Sequence, residues 1–333
     1  MEIKHFSPLI HIGFPKTATT FLQKNIFSNS DYNFIPITDS IVRNNKKLYE
    51  GRFKIKGFAG YFLTENNGGR FLSPYQNRTK EIHKEIKLFQ EIQDYKKNKI
   101  CVLSNERLCG PAHAGFSDSK DICDRIHDAF PKAKILITIR EQREMINSLY
   151  FQYLTTGGRG KIRQYLHEKF HDYGTSAFRP SSLNYNEMVQ YYSQKFGSSN
   201  VLILPFELLK ENNNDFFDRL YKFLSIEKPK LEISSMRKEN VTKSRYLRYK
   251  LRHLFFLFHP GLDIKSPLPN RYLYQILTIL THQLSKVVPK KLEVNFEKKV
   301  EEEIEIFCKN RYTKPNDELK NLINMDLEKY NYL

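Results

Sequence analysis

Short apolar segments alternate with amphipathic ones along the first two thirds of the chain, and this alternation constrains the fold more than any other feature. Strands are predicted where apolar residues run together between turn signals, at residues 7–12, 100–104, 134–139 and 201–205. Helices are predicted where apolar residues recur at helical spacing, at residues 19–27, 80–97, 119–130, 142–154, 184–196 and 213–224. Strands that alternate with helices favour a mostly parallel sheet flanked by helices, so we predict an α/β fold.

The rest of the 333-residue chain is predicted to be helical and to belong to the same domain. Beyond residue 240 the sequence is strongly basic and helical in pattern, and a helix of mixed charge follows at 293–309. No low-complexity linker or internal repeat separates the two parts. We therefore predict one domain over 1–333, with a core at about 5–240 and a helical, basic extension at about 241–333. Residues 38–79 are rich in Gly and Asn and are expected to form a long excursion.

The charge of the chain predicts an anionic partner. There are 54 Lys and Arg residues against 37 Asp and Glu residues, which gives a formal net charge of +17. Such a surface suits a phosphorylated cofactor, an acidic glycan, a nucleic acid or an anionic membrane. The spacing of known nucleic-acid-binding motifs is absent, so we expect no nucleic-acid partner. The basic segment 244–260 is expected to pack through its apolar residues Leu251, Leu254, Phe255 and Phe258, with peripheral contact to an anionic membrane surface left open.

Cysteine usage and the lack of long apolar runs indicate a cytoplasmic protein. The four cysteines form no CxxC pair and are too few for a disulfide framework in a chain of this length. No run approaches the roughly 18 uncharged apolar residues of a membrane span, and no apolar h-region of a cleaved signal peptide follows Met1. We therefore expect a location in the cytoplasm, with a position at the inner face of the membrane left open.

The sequence HIGFPKTATTFLQ at residues 11–23 has the chemistry of a phosphate-binding loop. A strand leads into a turn at Gly13, and a helix then begins among small and hydroxylated residues. The first N–H groups of a helix have no intrahelical partners, and the helix dipole adds partial positive charge. The spacing is not that of a Walker A loop, because Lys16 follows Gly13 by three positions and no second glycine precedes it. A capped helix after a buried strand is the alternative interpretation.

This segment resembles the 5′-phosphosulfate-binding loop of sulfotransferases that use 3′-phosphoadenosine 5′-phosphosulfate (PAPS). It is most similar to the loop of the bacterial carbohydrate sulfotransferases, which reads HIG-x-x-K-[ST]-x-T-T. The resemblance implies a P-loop NTPase-like sulfotransferase fold, PAPS as the sulfuryl donor, adenosine 3′,5′-bisphosphate as the product, and no metal. It also implies that Lys16 is catalytic and holds the bridging and sulfuryl oxygens. The cofactor-binding residues implied in this loop are Gly13, Phe14, Pro15, Lys16, Thr17, Ala18, Thr19 and Thr20.

A second segment, KILITIREQREMINSLYFQYL at residues 134–154, supports this interpretation. Arg140 follows a predicted strand, and Ser148 lies eight residues later in the next predicted helix. The planar fork of Arg suits a phosphate, and a hydroxyl group can complete the contact. The segment is similar to the family's 3′-phosphate-binding motif, although Gln142 stands where cytosolic family members often have Pro. The basic segment 236–244 resembles, more loosely, the late segment that closes over the 3′-phosphate, with the candidates Arg237, Lys238 and Asn240.

Sulfuryl transfer also needs a base that takes the proton of the acceptor. Glu106 follows the predicted strand 100–104, at the edge of the sheet where an acceptor should enter. The resemblance implies that Glu106 is this base, and the role requires that burial raises the pKa of its carboxyl group. An ordinary ion pair with Arg107 or another Arg is the alternative, and His113 is the other candidate base.

These motifs predict transfer of a sulfuryl group from PAPS to a hydroxyl or amine of an acceptor, with a carbohydrate or glycan preferred. The Arg, Lys, Tyr and Phe residues at 51–79 and 150–180 suit sugar stacking and acidic groups. The main alternative is a P-loop nucleotide-dependent phosphotransferase or kinase, and a non-catalytic anion-binding protein is another. Residues 167–171 spell HExxH, the signature of zinc hydrolases, but the predicted helix there is short and no third ligand is marked downstream.

Overall fold

The computed structural model describes residues 7–36, 99–110, 115–116, 118–167, 178–230, 245–260, 266–323 and 325–332. The predicted excursion at 38–79 and the predicted helix at 80–97 lie outside these residues. The segment 231–244 lies outside them as well.

The described strands form one parallel five-stranded sheet. They are β1 (Leu9–Gly13), β2 (Phe34–Pro36), β3 (Ile100–Ser104), β4 (Lys134–Ile139) and β5 (Val201–Pro205). Their order across the sheet is β2-β3-β1-β4-β5, and every neighbouring pair is parallel. The four predicted strands are confirmed, and β3, β4 and β5 have the predicted bounds. The sequence does not predict β2, because that strand has three residues and ends in Pro36, which an edge position tolerates.

Burial on both faces explains why these strands show no alternation of apolar and polar residues. All five residues of β1 are buried, and β4 is buried from Ile135 to Ile139. A parallel sheet covered on both sides buries every side chain of its central strands, so these strands are continuous apolar runs. Because β1 lies between β3 and β4, the loops that follow these three strands meet at one edge of the sheet.

The predicted helices that fall on described residues up to 230 begin and end close to their predicted positions, and the short helix Phe206–Glu211 was not predicted. Helix α1 (Thr19–Phe21) continues as a π-helix over Leu22–Phe27. The next helices are α2 (Ser119–Ala129), α3 (Gln142–Thr155), α4 (Ile162–His167), α5 (Tyr185–Phe196), α6 (Phe206–Glu211) and α7 (Asn213–Leu224). The four helices predicted between 119 and 224 are thus confirmed to within one residue at each end.

The C-terminal region is helical, as predicted, and it packs against the sheet region. Its helices are α8 (Arg245–Lys250), α9 (Arg252–Leu257), α10 (Arg271–Leu284), α11 (Lys290–Cys308) and α12 (Thr313–Ile323). Phe296 of α11 contacts Phe151 of α3, with ring centroids 6.1 Å apart, and Ile304 of α11 is buried in the same apolar core. Among the described helices, none combines the length and the apolar character that a membrane crossing would require.

The basic segment 244–260 packs in part, as expected. Phe255 is buried, and the buried Arg248 donates hydrogen bonds to the carbonyl oxygens of Leu154 and Thr155 at 3.2 and 2.7 Å. Leu254, in contrast, is largely exposed. The positive charge of Arg248 therefore stabilises the end of α3 instead of facing a partner.

Candidate functional site

Three predicted site residues lie at the carboxyl ends of adjacent strands. Lys16 is in the loop after β1, Glu106 follows β3 and Arg140 follows β4 directly. Arg140 Nη1 donates a long hydrogen bond to the Lys16 carbonyl oxygen at 3.4 Å. Partial desolvation lowers the pKa of the Lys16 ammonium group; the Glu106 carboxylate opposes this shift and the Arg140 guanidinium adds to it. The fold therefore brings these three charged groups together.

The loop after β1 is a tight turn that its own hydrogen bonds hold in place. Thr17 is fully buried, and its Oγ1 donates to the Phe14 carbonyl oxygen at 2.6 Å. The Phe14 N–H donates to the Thr138 carbonyl oxygen of β4 at 3.2 Å, so the loop is fixed to the neighbouring strand. Lys16 and Ala18 have positive φ angles of 67° and 62°. This left-handed backbone costs a residue with a Cβ about 1–2 kcal/mol, so the loop depends on these bonds.

The start of α1 carries a buried hydroxyl group without a partner. Thr19 Oγ1 is buried and makes no hydrogen bond within the described residues. It lies over Gly13, where a Cβ would come within 2.2 Å of it, so only glycine fits there. Arg140 Nε is also buried and unpaired in the described part of the chain. Buried polar groups are normally paired, so these two atoms fit a site that a bound oxyanion completes.

The remaining loop residues divide between core and solvent. The side chains of Lys16 and Thr20 are exposed, whereas Phe14 and Pro15 are buried. The Phe14 ring packs edge-on against Tyr185, with centroids 4.9 Å apart. Tyr185 in turn donates its hydroxyl to the Arg140 carbonyl oxygen at 2.7 Å. Sequence reasoning missed Tyr185, which fixes the loop and the end of β4 relative to each other.

Arg140 has a carboxylate partner that the sequence analysis missed. Its Nη2 lies 2.7 Å from Glu144 Oε2, one turn into α3. Ser148 is half-buried one turn beyond Glu144, on the same face of the helix. The Glu144 carboxylate therefore competes with a phosphate for Arg140 Nη2. The spacing of four residues between Arg140 and Glu144 is the signal that could have revealed this pair.

A cavity beside Arg140 does not suit a phosphate. It has a volume of about 390 Å³ and is lined by six glutamates, among them Glu141, Glu144 and Glu207. Arg140, Arg143 and Lys210 also line the cavity, but the six carboxylates outnumber these three cations, so the lining is net negative and disfavours an anion.

A chain of buried hydrogen bonds runs beneath the loop and crosses three strands. Ser104 Oγ of β3 lies 2.7 Å from His11 Nδ1 of β1, and His11 Nε2 lies 3.1 Å from Thr138 Oγ1 of β4. Thr138 Oγ1 lies 2.7 Å from Thr17 Oγ1 in the loop. At the other end, Gln23 Nε2 donates to Ser104 Oγ at 3.3 Å. The sequence signal that could indicate such buried hydrogen bonds is an imidazole or hydroxyl group inside an otherwise apolar strand.

The hydrogen bonds of this buried network have only one possible direction from donor to acceptor. The Thr17 hydroxyl donates to the Phe14 carbonyl oxygen, which can only accept, so Thr138 donates to Thr17. Thr138 then has no proton left for His11, so His11 Nε2–H donates to Thr138. Burial lowers the pKa of His11 to about 3, so its ring is neutral and Nδ1 accepts from Ser104. His11 is therefore the Nε2–H tautomer, and it connects the end of β3 to the loop.

Gln142, the departure from the family pattern, joins the start of α3 to α12. Its Nε2 donates to Asn316 Oδ1 at 2.7 Å, and Asn316 Nδ2 donates back to Gln142 Oε1 at 3.3 Å. Both side chains are buried. The substitution thus leaves Arg140 in place and ties the C-terminal region to the helix that carries Ser148.

Glu106 lies near the loop but is not buried. It begins a turn over Glu106–Cys109, and the Asn105 side chain accepts a hydrogen bond from the Arg107 N–H at the start of that turn. The Glu106 side chain is exposed, so the expected burial of its carboxylate is absent. The turn satisfies its own backbone groups while its first side chain remains in solvent. The role of Glu106 as a base stays a prediction.

Several predicted residues lie outside the described part of the chain. They are His113, Glu168, His171, Arg237, Lys238 and Asn240. His167, the first residue of the HExxH segment, is described. It ends α4, and its ring meets Phe307 edge-on with centroids 5.2 Å apart.

Four of the aromatic side chains described at 150–180 lie in the core, and Tyr153 is partly buried beside them. Tyr150, Phe151, Tyr165 and Phe178 are each buried. Tyr165 stacks on Phe178, with ring centroids 5.4 Å apart. These four rings pack in the core and are not available to a sugar, whereas the part of the prediction at 51–79 and 168–177 lies outside the described residues.

Comparison with known proteins places this geometry in a family. The sequence profile described as Sulfotransferase family matches residues 8–230, about two thirds of the chain. No curated protein matches the chain significantly.

Solved structures that resemble the chain share little sequence with it. A sulfotransferase from Alicyclobacillus acidocaldarius is 15% identical, with 71% of this chain and 88% of that chain covered and a TM-score of 0.45. The sulfotransferase domain from the curacin biosynthetic pathway is 12% identical, with 83% and 97% covered and a TM-score of 0.40. The sulfotransferase domain from the Synechococcus PCC 7002 olefin synthase is 13% identical, with 85% and 97% covered and a TM-score of 0.41.

The family profile spans all five strands of the sheet and includes the loop at Lys16, Glu106 and Arg140. Because it matches more than half of the chain, the match cannot come from one shared motif, and this chain belongs to the sulfotransferase family.

Proposed function

We propose that this protein transfers the sulfuryl group of PAPS to a hydroxyl or amine of a carbohydrate or other glycan acceptor. Sulfotransferases generally use PAPS as donor. The observation that carries the proposal is the set of unsatisfied donors at the edge of the sheet: the exposed Lys16 ammonium, the orphaned Thr19 hydroxyl and the unpaired Arg140 Nε. PAPS has a 5′-phosphosulfate and a 3′-phosphate that would accept hydrogen bonds from such groups.

The two anionic parts of PAPS are assigned to two neighbouring strand ends. Residues Gly13 to Thr20 would hold the 5′-phosphosulfate, with Lys16 and Thr19 as the side-chain donors. Arg140 and Ser148 would hold the 3′-phosphate, joined by the late segment with Arg237, Lys238 and Asn240. Because β1 and β4 are adjacent, one nucleotide can reach both strand ends.

Lys16 and Glu106 have separate roles in the proposed reaction. The acceptor oxygen forms a bond to sulfur while the bond between sulfur and the bridging oxygen breaks, and adenosine 3′,5′-bisphosphate leaves. Lys16 would stabilise the negative charge that develops on that bridging oxygen. Glu106 would take the acceptor proton, and an acceptor that covers its exposed carboxylate would desolvate it and favour protonation. His113 is the other candidate base, and the proposal includes no metal.

The proposed acceptor and location follow from charge and resemblance. A formal net charge of +17 suits an acidic glycan or an acceptor at an anionic surface. We propose that the enzyme acts in the cytoplasm, at or near the inner face of a membrane.

Nucleotide binding tests the assignment of the two phosphates. Arg140→Ala should weaken the binding of adenosine 3′,5′-bisphosphate about 10- to 100-fold, because a lost charged hydrogen bond costs about 1.5–3 kcal/mol. The binding of adenosine 5′-phosphate should change little. Arg163→Ala is the matched control, because Arg163 is exposed and paired with Glu303. Calorimetry on both variants measures the difference. Equal weakening of the two nucleotides by Arg140→Ala would contradict the 3′-phosphate assignment.

Turnover tests the reaction itself. Lys16→Ala should abolish transfer of the labelled sulfuryl group from PAPS to glycan acceptors with a much smaller effect on the melting temperature. The comparison ligand is ATP with magnesium, which the phosphotransferase alternative requires. Binding and consumption of ATP, without binding of adenosine 3′,5′-bisphosphate, would favour that alternative.

A further inference from the structure

Helix α10 turns its apolar side to solvent. Its exposed apolar side chains are Tyr272, Leu273, Ile276, Ile279, Leu280 and Leu284, each between 42% and 77% exposed. Leu268 before the helix and Val287 after it are also largely exposed. Positions three and four apart share one side of a helix, so these residues form a continuous strip, called here the α10 face.

The opposite side of α10 contacts the protein through few residues, among them Tyr274, whose ring meets Phe255 edge-on with centroids 5.5 Å apart, and the partly buried Leu277. The Tyr274 hydroxyl donates to the Thr155 carbonyl oxygen at 2.9 Å. Thr281 is buried, and its hydroxyl donates to the Leu277 carbonyl oxygen at 2.7 Å. A helix that packs on a core normally buries its apolar side, and α10 does the reverse. Contiguous apolar patches of this kind mark interaction sites.

The charge around the α10 face indicates what it binds. Between residues 266 and 292, which contain α10 and its flanks, the sequence has four Lys or Arg residues and no acidic residue. Arg271 at the start of α10 and Lys286, Lys290 and Lys291 beyond its end all have exposed side chains. An exposed apolar strip bordered by basic residues is typical of helices that lie in an anionic membrane interface.

We infer that the α10 face docks on an anionic membrane surface. Its apolar side chains would enter the boundary between headgroups and acyl chains, and the flanking Lys and Arg would contact anionic headgroups. A second copy of the chain is a poorer occupant, because face-to-face contact would bring two basic segments together.

Docking through this surface leaves the candidate active site accessible. Helix α10 contacts the C-terminal end of α3, whereas Arg140 precedes its N-terminal end. The two ends are roughly 20 Å apart at 1.5 Å per residue. The inference names the surface that would bring the enzyme to the proposed membrane location, and it does not depend on the sulfuryl donor or acceptor.

Vesicle co-sedimentation with the full chain tests the inference. Vesicles of phosphatidylcholine alone are compared with vesicles that also contain phosphatidylglycerol. The wild type should bind the anionic vesicles preferentially, and Ile276→Ser with Leu280→Ser should weaken that binding at least about tenfold. The matched control is Gln275→Ser with Thr278→Ser, which changes exposed polar residues of the same helix and should bind like the wild type.

The other possible occupants of the α10 face give different results. Equal binding of the wild type and the Ile276→Ser, Leu280→Ser variant would overturn the inference, as would equal binding to both kinds of vesicle. The wild type could bind no vesicles and instead form a dimer in analytical ultracentrifugation that the variant does not form. That result would assign the face to a second copy of the chain. Absence of vesicle binding with a lower melting temperature of the variant would show that the chain itself covers the face. Loss of binding with an unchanged melting temperature supports membrane docking.

Discussion

Replacing Thr138 with Val should loosen the anion-binding loop while keeping the shape of the core. Val matches Thr in size but has no hydroxyl group. The substitution removes the acceptor for His11 Nε2–H and the donor to Thr17 Oγ1, which lie 3.1 and 2.7 Å from Thr138 Oγ1. All three side chains are buried, so bulk water does not replace the lost partner.

The magnitude follows from the two groups that lose their partner. A buried donor without an acceptor costs about 1–3 kcal/mol, so we expect the free energy of unfolding to fall by that amount. The same change weakens the anchor of a loop that holds Lys16 and Ala18 in left-handed backbone. Each 1.4 kcal/mol of lost loop stabilisation should weaken the binding of adenosine 3′,5′-bisphosphate about tenfold, because fewer molecules then have the loop in its binding conformation.

Thr138→Ser is the matched control. It keeps the hydroxyl group and removes one buried methyl group, at a cost of about 1 kcal/mol. Denaturant unfolding measures stability, and calorimetry measures nucleotide affinity. We expect Thr138→Ser to lose stability and keep its affinity, and Thr138→Val to lose both. If Thr138→Val binds adenosine 3′,5′-bisphosphate as tightly as the wild type, the buried chain does not position the loop.

Burial lowers the pKa of His11 from 6.5 to about 3. The free energy of unfolding should therefore be fully retained above pH 6.5 and fall as the pH drops toward 3, by up to about 1.4 kcal/mol per pH unit. Denaturant unfolding at each pH should show a shallower slope for His11→Gln, and an unchanged slope would mean that His11 does not titrate as argued. Glu144→Gln should strengthen the binding of adenosine 3′,5′-bisphosphate several-fold in calorimetry, because it removes the carboxylate that pairs with Arg140. Weaker binding would instead make Glu144 part of the site. Glu106→Gln should keep PAPS binding and lower turnover about 10²–10⁴-fold, whereas a lower melting temperature at unchanged turnover would make Glu106 structural. Ala18→Gly should raise the free energy of unfolding by about 0.5–1 kcal/mol in denaturant titrations, because glycine adopts a φ of 62° without strain; a lower value would show that the Ala18 methyl group stabilises the loop.

The α/β alternation and the bounds of β3, β4 and β5 were predictable from the sequence, because a strand buried on both faces must be a continuous apolar run. The loop at Lys16 and the position of Arg140 were predictable for a similar reason. In a parallel sheet, the residue that follows an apolar run necessarily lies at the carboxyl edge, where ligands bind. These are properties of neighbours in the chain, so local pattern was enough to predict them.

Contacts between distant residues decided the rest. His11 meets Ser104 and Thr138 from 93 and 127 residues away, and no local pattern indicates that an imidazole in a strand will find those hydroxyl groups. Tyr150, Phe151, Tyr165 and Phe178 belong to a segment whose composition suits a sugar, but tertiary packing places these four rings in the core. Conversely, the apolar strip of α10 has the sequence of a core-facing helix and lies in solvent. Amphipathic pattern determines that a helix has two faces, and only the tertiary arrangement determines which of them meets water, because that choice depends on what else packs nearby.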